Sequence, residues 1–153
     1  MSWDLEDLLV AVREQLKGEV TALADHAYVV ADENDFPPEA PPPFATVWDA
    51  GTAFMDPDNQ EILADHRIGV SVFVQNLRSR EAPLVGDAAG APGIQTLTAD
   101  VFTALKDEML SLSVWALVRP VSAGPTRRWI QADGPDEMIQ KSTTWRYRQK
   151  PSI

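Results

Sequence analysis

The chain has 153 residues, no cysteine, 44% hydrophobic residues and a formal net charge of −10. Without cysteine it has neither a disulfide framework nor a thiolate metal site, and its acidity argues against holding nucleic acid by bulk charge. Five Trp and five Phe supply large core anchors, and the length fits one domain spanning 1–153.

The charge is unevenly placed. Residues 1–65 carry 15 of the 23 acidic residues and only two bases, Arg13 and Lys17, whereas residues 66–153 carry 8 acids and 11 bases. A chain polarised in this way suggests a partner, or a second copy of itself, with acid meeting base at each joint. The plainer alternative is a solvated acidic surface that keeps the chain soluble. The N-terminus lacks the basic and apolar regions of a signal peptide. No apolar run reaches the roughly 18 residues that a membrane span needs, so no membrane partner is expected.

In chain order, Ser2 is suited to cap a helix, and Asp4, Glu6 and Asp7 sit where the helix dipole favours negative charge. Leu5, Leu8, Leu9, Val12 and Leu16 recur at helical spacing, and Gly18 marks the stop. Val20–Ala24 reads as a short turn, and Ala27–Ala31 as a short strand. Asp32–Pro43, with four acids and five prolines, reads as an extended surface loop. Phe44–Ala50 follows as a strand, and Asp56–Asn59 has turn chemistry.

Ile62–Gln75 is the strongest strand signal. Ile68, Val70, Val72 and Val74 fall on one face, with Arg67, Gly69, Ser71, Phe73 and Gln75 on the other. The two strands together predict a long antiparallel hairpin. After a second loop, Asn76–Gly93, a helix is expected from Thr96 or Thr98 to Leu110, burying Leu97, Val101 and Leu105, with Phe102, Met109 and Leu112 as further inward candidates. Val114–Val121 is expected as a strand stopped by Ser122–Pro125. Arg128–Ala132 is a short strand candidate, and Thr143–Gln149 alternates aromatics inward with arginines outward. The tail Lys150–Ile153 is expected to fray. Helices flanking a mostly antiparallel sheet define an α+β class.

The segments Leu23-Ala24-Asp25-His26 and Leu63-Ala64-Asp65-His66 are identical and contain both histidines. Brought together, two Asp-His pairs would suit a divalent metal or a proton relay. No third ligand has recognisable spacing, and chance repetition in an Ala- and Asp-rich chain explains the match equally well. Asp56-x-Asp58-x-Gln60 opens like a calcium loop, but Glu61 and Arg67 occupy the positions that need Gly and Glu. Gly86–Gly93 lacks the Lys-Ser/Thr of a phosphate loop, and no GxSxG or HExxH occurs. No catalytic, metal or cofactor residue is therefore assigned, and an enzyme is not expected. Arg127, Arg128, Arg146 and Arg148 interleave with Trp129 and Tyr147, a pattern shared by single-strand binders and by ordinary amphipathic strands. With Arg78 and Arg80 on the second loop, they are the candidate contacts to a partner or a second subunit.

Taken together, the helix Leu5–Lys17, the strand after it, the proline-bearing loop into Phe44–Trp48, the strand His66–Gln75, the lone helix and the late strands ending in Thr143-Thr144-Trp145-Arg146-Tyr147-Arg148 form a layout. It resembles the tail terminator, or tail completion, proteins of tailed bacteriophages and of related prophage and gene-transfer particles. The Asn76–Gly93 loop is longer than that pattern has. The resemblance implies an α+β subunit forming a ring, typically of six, on the head-proximal end of a tail tube. Its partners would be other copies of itself, the tube protein and a head-neck connector, with DNA passing through the lumen without sequence-specific contact. Its location would be the bacterial cytoplasm during assembly and the virion tail or neck thereafter. Two alternatives remain: another head-tail connector or adaptor acting as a monomer, and a metal-dependent enzyme using the two Asp-His pairs.

Overall fold

A computed structural model describes residues 5–55, 63–75, 84, 93–106, 115–130 and 137–149. The elements in chain order are α1 (Leu5–Glu19), a single 3₁₀ turn (Thr21–Leu23), β1 (Ala27–Val29), β2 (Phe44–Met55), β3 (Leu63–Gln75), α2 (Ile94–Leu105), β4 (Trp115–Ala123), β5 (Arg127–Ile130) and β6 (Glu137–Gln149). They build the α+β architecture that the sequence predicts. The strands form one sheet in the order β1-β2-β3-β6-β4, with β5 also paired to β6. Every pairing is antiparallel except β1 with β2, which is parallel.

Both helices lie on one face. Helix α1 buries Leu8, Val12 and Leu16, and α2 buries Ile94, Leu97, Val101, Ala104 and Leu105. They cover Ala45 and Val47 of β2, Ile68, Val70, Val72 and Val74 of β3, and Ile139, Trp145 and Tyr147 of β6. The two-residue alternation of a strand puts these side chains on one side, and the registers align them in rows, such as Val47 beside Val70 and Ile68 beside Trp145. The Gln15 amide donates to the Ala104 carbonyl at 3.1 Å and ties the helices to each other.

The opposite face is buried over part of its area. The segment Asp32–Pro43, expected as an extended surface loop, folds back so that Phe36 packs against Phe44 and Phe73, with Met138 completing the cluster. Beside it lies a polar row. Trp48 Nε1 donates to Ser71 Oγ at 3.0 Å, Ser71 Oγ meets Ser142 Oγ at 2.8 Å, and the Gln140 amide donates to the Glu33 carbonyl at 2.8 Å. Gln140 thus anchors the acidic loop to the sheet, and buried polar groups find partners as their desolvation demands.

The element boundaries differ from expectation in ways that have physical reasons. Strand β2 runs five residues past Ala50, because a bulge at Asp49/Gly51 lets the ladder resume. Gly51 takes φ +106 there, and its N–H donates to the Asp49 carboxylate at 2.8 Å. Helix α2 starts two residues before Thr96 and ends at Leu105, where Lys106 turns out of helical geometry with ψ 134; Leu110, Met109 and Leu112 lie outside the described residues. Phe102 is 42% exposed instead of buried and leans on Trp145 at 5.5 Å. Strand β4 continues to Ala123, and β5 starts at Arg127. Both pair with the same edge of β6, so Gly124-Pro125-Thr126 interrupts one long edge line, where proline has no N–H for the ladder. Strand β6 begins at Glu137, six residues before Thr143.

At Gly69 an added Cβ would overlap the Trp48 indole, which is held in place by its bond to Ser71. Gly69→Ala must therefore displace the ring and break that bond. It is expected to lower stability by about 1–3 kcal/mol, read as a lower urea midpoint; an unchanged midpoint contradicts this packing.

Candidate functional site

The two Leu-Ala-Asp-His segments adopt unrelated conformations. The first is a left-handed turn, with Ala24 at φ 48 and Asp25 at φ 67, closed by the His26 N–H donating to the Leu23 carbonyl at 2.9 Å. The second is the first turn-free stretch of β3, fully inside the sheet. His26 bonds the Tyr28 hydroxyl at 3.2 Å, on the sheet face that carries Phe44. His66 is buried on the helix-bearing face, where its Nδ1 meets Thr52 Oγ1 at 2.8 Å. The histidines thus sit on opposite faces, and the fold does not assemble the two pairs. Among the described residues no group of three His, Asp or Glu side chains is placed to hold a metal ion. The Asp56–Gln60 turn and most of the 76–93 loop, including Arg78 and Arg80, lie outside the described residues.

Asp65 has a different use from its repeat. Its carboxylate, nearly buried, receives a forked pair of bonds from Arg148, Nε to Oδ1 at 2.9 Å and a guanidinium nitrogen to Oδ2 at 3.4 Å. The hydrogen bond to Asp65 is the main cause that raises the Arg148 pKa above its ordinary value; burial opposes it, and the carboxylate charge adds to it. A cation with a raised pKa contributes stability below its unfolded pKa and loses it only as pH rises through the folded value. That window lies at strongly alkaline pH, so this cation's side of the pair gives no pH dependence near neutrality.

One row along, the same face carries a line of like charges. Arg67 of β3 pairs with Arg146 of β6, and Arg146 pairs with Arg119 of β4. Three arginines therefore share one cross-strand row over three adjacent strands. Arg67 and Arg119 are exposed and Arg146 is half-buried. The Nε of Arg146 is buried and has no hydrogen-bond partner among the described residues, whereas its neighbour on β6, Arg148, is engaged with Asp65.

The remaining expected contacts are scattered. Arg127 shares the row of Gln140 on this face, at the sheet edge, while Arg128 pairs with Ile139 and so points to the helix side; both are exposed. The four named arginines among the described residues, Arg127, Arg128, Arg146 and Arg148, thus do not form one patch. The row draws on Arg67 and Arg119, which sequence reading did not name. The available signal was cross-strand register, which pairwise reading of single strands does not give.

These elements define an α+β fold with one helix-covered sheet face and one face shared between a folded-back loop and exposed arginines. The solved structures contain a similar fold. A chain of the virion of a native gene transfer agent particle matches over 94% of this chain and 95% of its own, at 23% identity and a TM-score of 0.57. No protein-family model matches the sequence, and no curated protein matches it.

Replacing Asp65 with Ala strips Arg148 of this forked pair of charge-assisted bonds. The expected loss is about 1–2 kcal/mol, read by denaturant unfolding, with Asp65→Asn recovering part of it. A variant as stable as the parent contradicts a structural role for this pair.

Proposed function

We propose that this chain is a structural subunit of a phage-like virion, and more particularly a tail-terminator-like protein. It is a single-domain subunit that forms a ring of copies at the head-proximal end of a tail tube, stops tube growth and joins the tube to the neck. The observation that carries this reading is the fold shared over nearly the full length of both chains with a gene transfer agent virion component. The sequence layout and the charge split point the same way. A closed ring is built from heterologous contacts, in which one surface of a subunit meets a different surface of its neighbour. An acidic first half and a basic second half suit that arrangement.

No chemistry is required of such a subunit. Its work is binding, and its partners would be other copies of itself, the tube protein and a connector, with DNA passing through the lumen. It would act in the host cytoplasm during assembly and remain in the virion afterwards. No described helix is long and apolar enough to cross a membrane.

The test is to remove the chain from a particle-producing host and to image what assembles. Tubes of uncontrolled length that fail to join heads are the expected result. Tubes of normal length that remain unattached would favour the connector alternative, and normal infectious or transferring particles would contradict the assembly reading. In parallel, native mass spectrometry of the isolated chain is expected to show a closed ring that loosens as salt is raised.

A further inference from the structure

We propose that the sheet face opposite the helices is a head-to-tail joint between copies of this chain, in which the Arg67–Arg146–Arg119 row of one copy receives the acidic 30–43 loop of the next. The choice of a second copy as occupant rests on the assembly reading above. The surface itself is derived from the sheet.

Like charges placed directly opposite each other on neighbouring strands cost folding free energy. Here that placement occurs twice in one row, Arg67 with Arg146 and Arg146 with Arg119. Among the described residues neither Arg67 nor Arg146 forms an ion pair, and the Arg146 Nε is buried without a hydrogen-bond acceptor. A buried donor left unsatisfied is itself costly. The neighbouring Arg148 shows the arrangement that relieves this cost, a carboxylate held in the fork of the guanidinium. A surface that supplies carboxylates in fixed positions would do the same for Arg67 and Arg146.

The same face of the molecule carries that surface at its other end. Asp32, Asp35 and Glu39 are exposed on the loop that covers Phe44 and Phe73. The Asp32 carboxylate accepts the Asn34 N–H at 2.8 Å, and that of Asp35 accepts the Ala31 N–H at 3.1 Å. These bonds orient both side chains and leave acceptor positions open on each. The loop itself is pinned to the sheet through the Gln140 bond to the Glu33 carbonyl. The acids are therefore presented on a fixed support.

Within one molecule the loop acids form no ion pair with Arg67 or Arg146 among the described residues. Gln140, which holds the loop at Glu33, and Arg146 are six positions apart on β6, a separation of about 20 Å at strand rise. The complementary partner must come from another molecule, and the contact is heterologous because row and loop are different surfaces. Such a contact repeats from copy to copy and closes into a ring when the rotation permits. Duplex DNA also supplies anions, but the acidic loop on this face and the net charge of −10 oppose its approach.

Charge reversal with rescue tests the joint. One variant carries Arg67→Glu and Arg119→Glu, both at exposed positions. A second carries Asp35→Lys and Glu39→Lys, and a third combines all four changes. Circular dichroism confirms folding, and Arg67→Gln serves as a milder version of the first. Sedimentation velocity across protein concentration, at low and high salt, reads the association. The parent is expected to associate more weakly as salt rises. Each reversal alone should weaken association at least about tenfold, and the combined variant should recover most of it.

Association unchanged by either reversal overturns the joint while leaving a ring built through other surfaces. A parent that stays monomeric throughout overturns it, and the tube phenotype then judges the assembly reading separately. Folded reversals that weaken association without rescue in the combined variant also overturn it. So does binding to a fluorescent DNA duplex that disappears in the arginine variant while association persists, since the row would then serve a nucleic acid.

Discussion

Strand β3 is buried on both sides along most of its length. On one side Ile68, Val70, Val72 and Val74 meet the helices; on the other Gly69, Ser71 and Phe73 are also buried. A central strand in that position needs two covers, and the chain supplies them by different means. Amphipathic helices α1 and α2 provide the first. The second is assembled from the 30–43 loop with Phe36, the Trp48 indole over Gly69, and a row of serines and Gln140 on β6. The helical cover extends across the sheet, but the loop cover stops partway. Beyond Trp48 the same face opens onto Arg67, Arg146 and Arg119.

That incomplete cover gives the face its polarity. The loop brings its acids to one end, and the register of three strands brings three arginines to the other. The buried histidine His66 is engaged with Thr52 and sits on the far side of the sheet from His26. What the face offers is complementary charge at fixed spacing, which suits association of identical subunits more than binding of a small molecule. The split charge of the sequence, acidic before residue 66 and basic after it, fits the same interpretation.

Much of the architecture was legible because the signals were periodic. The α1 leucines, the alternation in β3 and the aromatic–arginine alternation at the end of β6 led directly to the correct faces. The first half of β6 is not marked in the sequence, because Gln140, Lys141 and Ser142 show no apolar alternation. Gln140 is instead held by partners, Ser71 and Glu33, that lie 69 and 107 positions away. The extension of β2 past Ala50 depends on a bulge at Asp49/Gly51 that the apolar pattern does not show. Phe102 was expected inside because helical spacing marks a face without saying how far the neighbouring strand reaches.

The candidate site was less legible than the fold. Single strands show that arginines point outward, but only the sheet order β3-β6-β4 shows that Arg67, Arg146 and Arg119 share a row. The Leu-Ala-Asp-His repeat, to which the sequence assigns no site, makes the same point from the other side. Its four residues follow local backbone demands, a left-handed turn in one copy and a strand in the other, so identity of sequence carries no identity of conformation. Arg148, a candidate partner contact from sequence, forms an ion pair with Asp65 within the chain.

Cross-linking between two single-cysteine variants tests the central claim most directly, because the natural sequence contains no cysteine. Asn34→Cys places a thiol on the acidic loop, and Ala53→Cys places one beside Asp65, at the arginine end of the same face. Oxidising a mixture of the two variants is expected to yield a disulfide-linked heterodimer at low salt, and little product from either variant alone. Equal yields from the mixture and the separate variants, or none from the mixture while the chains are associated, would contradict a head-to-tail joint between loop and row.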